Sequence, residues 1–286
     1  MTNATIAVIG GSGLYDLAGL EDVEEKNVST PFGPPSDAVV SGRLGRTRML
    51  FLARHGRGHR LTPSEVNYRA NIFALKSLGA ERVIAVSAVG SMREDVHPGD
   101  IVVVDQFIDR TRGRPSTFFG NGIVGHVSLA DPVCADLAGR VFDAAVSLGL
   151  TAHRGGTYMC MEGPAFSTRA ESRMHRAMGV TVIGMTNMPE AKLAREAELC
   201  YATVALATDY DCWHETEEDV TVEAVIRIVR QNAANARAVI RKVVEGLSDE
   251  RPCACARALD SAIITDRRAI PADVKERMKP VFGRVL

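Results

Sequence analysis

The sequence predicts an α/β fold, a central sheet flanked by helices, and three observations predict it. Short β-branched runs, apolar nearly throughout, alternate with longer stretches of helical periodicity. Two Thr-x-x-Glu patterns read as helix capping boxes. Glycines, hydroxyls and charged side chains gather just after the apolar runs, where open α/β sheets hold their ligands.

The elements follow in order. Thr5 to Ile9 reads as a strand ending in Gly10-Gly11, and Arg48 to Ala53 as one ending at Arg54-His55. Further strands are expected at Arg82–Ser87, Asp100–Val104, Val180–Gly184 and Tyr201–Ala207. Their continuous apolar character suits strands covered on both faces. Thr62-Pro63-Ser64-Glu65 places a hydroxyl, a proline and a glutamate at the cap, first and third positions of a helix. Thr168 and Glu171 repeat the spacing. Helices are also expected at Pro132–Leu148, Pro189–Leu199 and from about Thr221 to Glu245 before Gly246. In the last, Val225, Ile228, Val229, Ala236, Val239, Ile240, Val243 and Val244 recur at helical spacing, so one face is buried. The composition shifts at 248–256. The reading is therefore a domain over 1–247 and a tail over 248–286, with one short helix near Pro271 to Met278, forming an arm of the same domain.

The 286 residues carry 34 basic and 35 acidic side chains, for a net charge of -1. No excess positive field exists to attract nucleic acid or a membrane surface. Aromatics are only 5%, too few for rows of base-stacking platforms. The first residues lack the basic and apolar regions of a signal peptide, and no apolar run approaches a membrane span. A soluble, cytoplasmic protein is expected. Six cysteines stand at 134, 160, 200, 212, 253 and 255 without a Cys-x-x-Cys pair, which argues against a zinc ribbon and for buried free thiols. Cys253 and Cys255, one residue apart, are chemically able to pair in a strained ring.

Polar groups after the strands suggest an anion site. Gly10-Gly11-Ser12-Gly13 lacks the spacing of a dinucleotide fingerprint and the Gly-Lys-Ser/Thr of a P-loop, which leaves a glycine-rich turn suited to an anion. Arg54 offers a guanidinium fork for phosphate oxygens, and His55 a hydrogen-bond donor beside it. Thr186 precedes a helix start, where anions are favoured. With Ser87, these residues describe a site for inorganic phosphate without a magnesium motif. Read singly, each also fits a structural role: an ordinary turn, an ion pair, a core histidine. Asp209 and Asp211 follow an apolar strand, so their surroundings are expected to be dry and their protons held more tightly.

As an ordered set, these segments resemble the methylthioadenosine phosphorylases of the trimeric purine nucleoside phosphorylase class. The resemblance rests on Gly10–Leu14, Arg54-His55-Gly56, Pro63–Tyr68, Pro98–Val102, Asp105–Thr111, Glu162–Ser167, Arg169–Ser172, Met185–Glu190 and Ala207–Trp213. It implies a mixed, partly barrel-like sheet and phosphorolysis of S-methyl-5'-thioadenosine to adenine and 5-methylthioribose 1-phosphate. It assigns Ser12, Arg54, His55, Ser87, Ala88 and Thr186 to phosphate, and Met185 to the underside of the ribose. Phe166, Ser167, Tyr210 and Asp211 fall at the purine, with Asp209 donating at N7, and Val222 lines the 5'-alkylthio pocket. His126 is placed to reach a neighbouring subunit. No metal or organic cofactor is implied. The assembly implied is a homotrimer, or a hexamer of two trimers.

Ser12 stands where many relatives have Thr, and Asn187 where Thr is more usual, a change placed to tune the phosphate loop. The tail resembles that of relatives carrying a Cys-x-Cys element, which implies a Cys253–Cys255 disulfide as readily as free thiols. Competing expectations are a phosphorylase for methylthioinosine, inosine, guanosine or adenosine, a hydrolytic nucleosidase, and a silent nucleoside-binding protein.

Overall fold

The computed structural model describes residues 4–14, 17–214 and 222–286, with Ser12, 222–227 and 229–231 described by backbone alone. In chain order the strands are β1 (Thr5–Gly10), β2 (Glu21–Lys26), β3 (Val39–Leu44), β4 (Thr47–Ala53), β5 (Arg82–Ser91), β6 (Ile101–Val103), β7 (Gln106–Asp109), β8 (Ala152–Arg154), β9 (Thr157–Cys160), β10 (Val182–Gly184) and β11 (Cys200–Asp209). The helices are α1 (Tyr68–Ser77), α2 (Ala135–Ser147), α3 (Arg169–Ala177), α4 (Asn187–Glu196), α5 (Val222–Glu245), α6 (Ala272–Arg277) and α7 (Lys279–Phe282).

The strands form one mixed sheet. Its path runs β2-β3-β4-β1-β5-β10-β9-β7, and β11, β6 and β8 continue from the other edge of β5. The sheet does not close on itself, so the expected barrel-like character is corrected to an open, branched sheet. The branch arises because β5 is ten residues long and borders three strands. β11 runs parallel along it from Arg82 to Gly90. On its opposite edge β1 pairs in parallel with Arg82–Ala85, and β10 pairs antiparallel with Gly90 and Ser91. Among the described residues, Val86 to Val89 therefore have no strand on that side.

Two apolar clusters cover the two faces of the sheet. One gathers Ile72 and Leu75 of α1, Leu193 of α4 and the tail residues Val274, Met278, Val281 and Phe282. The other gathers Val141 of α2 with Val239, Ile240 and Val243 of α5, all nearly inaccessible. Burying a residue such as Ile240 contributes about 1.5–3 kcal/mol, which is what fixes the apolar stripe of α5 against the sheet.

The Thr168 capping box forms as expected, with both reciprocal bonds present at the start of α3. The Thr62 box does not start a helix. Its Glu65 carboxylate takes the Thr62 N–H and hydroxyl, but these bonds close a turn. α1 begins later, capped by the Asn67 side chain on the Ala70 N–H. The three residues after Glu65 decide this, because Asn67 supplies a better cap next to the buried run of α1.

Candidate functional site

The open edge of β5 is the centre of the site. Ala88 is the one exposed residue in a strand otherwise buried from Arg82 to Ser91. The Val86 carbonyl faces the gap, since it accepts from Arg54 Nη1 at 2.9 Å. Strand residues alternate in direction, so the main-chain groups of Ala88, two residues on, face it as well.

β4 delivers Arg54 to this gap, and the fork expected for phosphate is engaged elsewhere. Nε and Nη2 bind the two oxygens of Glu190 at 2.9 and 3.0 Å, both side chains almost wholly buried. Nη2 also donates to Ile9 O at 3.3 Å. Of five guanidinium N–H groups only one, on Nη1, is left for a ligand. The phosphate-facing fork is thus corrected to an internal ion pair with one spare donor.

His55 is half-buried and stacks on His59 with ring centroids 4.4 Å apart. Its Nδ1 lies 2.8 Å from Leu61 O, which can only accept, so Nδ1 carries the proton. Burial, with the charge of Arg54 second, pushes its pKa down to about 4. The ring is therefore neutral near pH 7 and Nε2 is an acceptor. With Nδ1–H given to Leu61 O, the neutral ring leaves only an acceptor, Nε2, in place of the expected donor. The depressed pKa has a stability consequence. Between about 6.5 and 4 the unfolded chain binds a proton that the folded chain refuses, so stability falls as pH falls through that window. A His55→Asn variant, which keeps a donor for Leu61 O, is expected to show a shallower decline of Tm between pH 6.5 and 4.

Ser87 and Thr186 meet at the same gap. Their hydroxyl oxygens are 3.3 Å apart, and Ser87 Oγ lies 3.0 Å from Tyr158 Oη. Thr186 is the N-cap of α4 but its side chain makes no cap bond, so its hydroxyl is not consumed by its own helix. Met185, beside it, is partly exposed. Asn187 turns the other way, donating to Tyr201 Oη and Thr203 Oγ1 in the core at 2.8 and 2.6 Å. Its expected influence on the anion loop is replaced by a structural role.

The carboxylates sit at the end of β11, next to Gly90 of β5. Asp209 accepts from the Thr208 hydroxyl at 2.6 Å and the Asp211 N–H at 2.8 Å. Burial dominates over these bonds and raises its pKa above the ordinary carboxyl value, with the Asp211 charge acting in the same direction. Asp211 is buried at a left-handed φ of 54°, and its Oδ2 has no hydrogen-bond partner among the described residues. A buried acceptor without a donor is costly unless a ligand completes it. Gly90 is needed here: a Cβ would stand 2.9 Å from Asp209 Oδ1 and 3.3 Å from Asp211 Cβ. Tyr210 packs edge-on against Trp213, whose indole donates to Ser91 O at 2.7 Å and fixes the turn.

The loop before α3 lies against this turn, with Cys212 Sγ 3.3 Å from Ser167 O and Arg169 Nη1 3.0 Å from Cys212 O. Ser167 is half-buried, whereas Phe166 is 47% exposed, an unfilled apolar face beside the carboxylates' turn. His126 is exposed, and its backbone N–H donates to Ala262 O at 2.9 Å. The side chains of Ser12 and Val222 lie outside the described residues. The backbone around Ser12 forms a 3-10 turn, and Gly10 admits it, since a Cβ there would overlap Leu14.

Three residues of the site escaped the sequence reading. Glu190 neutralises Arg54. Tyr158 orients Ser87. Arg114, buried, donates through Nη1 to Met185 O, Met188 O and Tyr68 Oη at 2.8, 2.9 and 3.1 Å, and through Nη2 to Glu162 O at 2.7 Å. It thereby fixes both backbone segments that bear Met185 and Phe166. The only available signal was the charge of Glu190 and Arg114 in otherwise apolar or loop surroundings.

An open mixed sheet with a hydroxyl-lined gap and a carboxylate pair at its carboxyl ends defines a nucleoside-handling enzyme of the phosphorylase type. The Phosphorylase superfamily profile matches residues 5–245, and the chain belongs to that superfamily. It is 63% identical over 279 residues to the S-methyl-5'-thioadenosine phosphorylase of Geobacter sulfurreducens, covering 97% of this chain and 98% of that one. It is 55% identical to the enzyme of the same name from Thermosynechococcus vestitus, covering 99% of both chains. Among solved structures, a methylthioadenosine phosphorylase from an antarctic soil metagenomic library superposes with a TM-score of 0.93 at 48% identity, covering 98% of this chain and 99% of that one. The Schistosoma mansoni methylthioadenosine phosphorylase in complex with adenine gives 0.86 at 37% identity, covering 91% and 99%.

Proposed function

We propose that the chain catalyses phosphorolysis of S-methyl-5'-thioadenosine, yielding adenine and S-methyl-5-thio-α-D-ribose 1-phosphate. The observation that carries the reading is the pair at the end of β11, half-buried Asp209 with its pKa raised and buried Asp211 with an unpaired acceptor. The names of the relatives support it, as does the adenine bound by the Schistosoma mansoni neighbour.

Phosphate occupies the gap at Val86–Val89. The Ser87 and Thr186 hydroxyls, the Ala88 amide, the remaining Arg54 N–H and the start of α4 attract it, with Ser12 added from the glycine turn. Hydrogen phosphate carries a proton for His55 Nε2. A phosphate oxygen attacks the anomeric carbon as the C–N bond breaks, and the bonding electrons pass to the purine. Asp209 gives its proton to N7, so adenine leaves neutral. Met185 lies under the ribose, Phe166, Ser167 and Tyr210 border the base, and Val222 lines the 5' pocket. The 6-amino group of adenine is a donor, matched to the open oxygen of Asp211. No cofactor is required, and the assembly is a homotrimer in the cytoplasm. Among the described residues no helix is long and apolar enough to cross a membrane.

Adenine release from methylthioadenosine, followed with and without phosphate and with methylthioinosine alongside, tests the reading. Release that needs phosphate supports it. Equal release without phosphate would make the chain a nucleosidase, and turnover of methylthioinosine alone would overturn the base assignment. Asp211→Asn is expected to lower kcat/KM for methylthioadenosine by roughly 10-fold to 100-fold, the size of one mismatched buried hydrogen bond. It is expected to affect methylthioinosine less, because the new amide can donate to a 6-oxo group.

A further inference from the structure

The cysteines that look scattered in the sequence converge at the end of the sheet opposite the site. Cys134 is the N-cap of α2, Cys200 opens β11, and Cys253 and Cys255 lie at the 3-10 turn of the tail. The four Sγ atoms all lie within 4.8 Å of one another. No disulfide joins them: all six cysteines are free, and Cys253 faces Cys200 at 3.3 Å. Of the two states the sequence left open for Cys253 and Cys255, the fold shows free thiols, both turned toward α2 and β11.

We propose that Cys134, Cys200, Cys253 and Cys255 form a structural tetrathiolate site for a zinc ion. Zinc binds four thiolates tetrahedrally with bonds near 2.3 Å, which places sulfurs about 3.8 Å apart. The observed cluster brackets that spacing, so closure around the ion needs only small rotations. Four soft sulfurs without a carboxylate or imidazole select zinc over magnesium, calcium or manganese. Cys134, Cys200 and Cys255 belong to the apolar cluster between α2, α5 and the sheet, so solvent has little access to the sulfurs. The first turn of α2 adds an amide donor, since the Leu137 N–H bonds Cys134. The spacing of the tail pair, with one intervening residue, is shorter than in a zinc ribbon. That is why the sequence alone argued against a metal.

The ion would be a staple. It would join the tail to the starts of α2 and β11, which already touch through Cys134 N–H donating to Tyr201 O at 2.8 Å. Cys200 and Asp209 are the two ends of β11, nine residue steps and roughly 30 Å apart at strand rise, so the ion has no part in glycosidic cleavage.

The test is metal analysis of the full chain purified without chelator, together with thiol titration of unreduced, denatured protein after EDTA is added. About one zinc per chain and six titratable thiols support the proposal. Fewer than six thiols would mean disulfides and overturn it, as would six thiols with no metal or with iron in place of zinc. The Cys253→Ser/Cys255→Ser variant should lose the zinc and melt more than about 5 °C lower. Its rate of adenine release at 25 °C should stay within about twofold of the parent. Retention of zinc by that variant would place the ion elsewhere and overturn the assignment. If the variant fails to fold, chelator-stripped parent protein that regains its Tm on addition of zinc gives the same answer.

Discussion

Asp209→Asn is expected to lower kcat for methylthioadenosine by about 10²–10⁴, the usual contribution of a positioned general acid. The same variant is expected to melt slightly higher than the parent at pH 7. The two effects share one cause. Burial, opposed by bonds from Thr208 and the Asp211 N–H, raises the Asp209 pKa above its unfolded value. A carboxyl with a raised folded pKa stabilises the fold below the unfolded pKa, and that contribution is lost as pH rises through the folded one. Above that folded pKa the free protein bears the cost of an ionised, half-buried carboxylate. Asparagine removes the charge while keeping an acceptor for the Asp211 N–H at 2.8 Å. It cannot give up a proton to N7, so activity falls while stability rises. A pH profile separates this from simple misplacement: the parent's kcat should decline on the alkaline side as Asp209 ionises, and the variant should lack that limb. Unchanged kcat, or a lower Tm with an unchanged profile, would remove Asp209 from the proton-transfer step.

Glu190→Gln should be the most damaging single change to stability, on the order of 3–5 kcal/mol. The amide keeps the volume but leaves the Arg54 guanidinium without its counter-charge in a buried site, with one of its N–H groups facing an NH2 donor in place of an oxygen. At about 2–4 °C per kcal/mol, Tm should fall by roughly 10 °C. Tyr201, whose hydroxyl donates to Glu190 at 2.9 Å, should lose part of its anchoring as well. Arg54→Met with Glu190→Gln should be less damaged than the two single losses added together, because no unpaired charge remains. Thermal melts of the four proteins check this. Strict additivity would mean that the pair contributes nothing as a pair.

The legible parts of the fold were those with strong one-dimensional patterns. β1, β4, β5 and β11 are buried on both faces and announce themselves as apolar runs. β2 does not: Glu21–Lys26 is almost entirely charged and exposed, and it exists because β3 supplies its ladder bonds. β7, β8 and β9 are three or four residues long, below the length at which alternation can be read. Within the site, Thr186, Asp209 and Asp211 were visible because they stand at or just past strand ends, whereas Ser87, expected to end its strand, lies inside β5, which runs on to Ser91. The commitment of Arg54 was not, because its partner is 136 residues away and no local spacing reports on it. His55 was visible as a residue, but its tautomer depends on a carbonyl in the following turn. The four clustered thiols were the least legible, since the distances that unite them are purely tertiary.

The interruption along β5 bears on how the chain avoids edge-to-edge strand aggregation. An unpaired strand edge normally invites a second chain to zip onto it and is a common start of aggregation. Here the bare stretch is four residues long and closed at both ends, by β1 before it and β10 after it. An incoming strand would have to enter between two occupied positions and could form only one or two ladder bonds. The geometry thus leaves room for a small ligand but not for the length of an added strand. Exposed main-chain polarity can be kept at the heart of the sheet without making the monomer sticky.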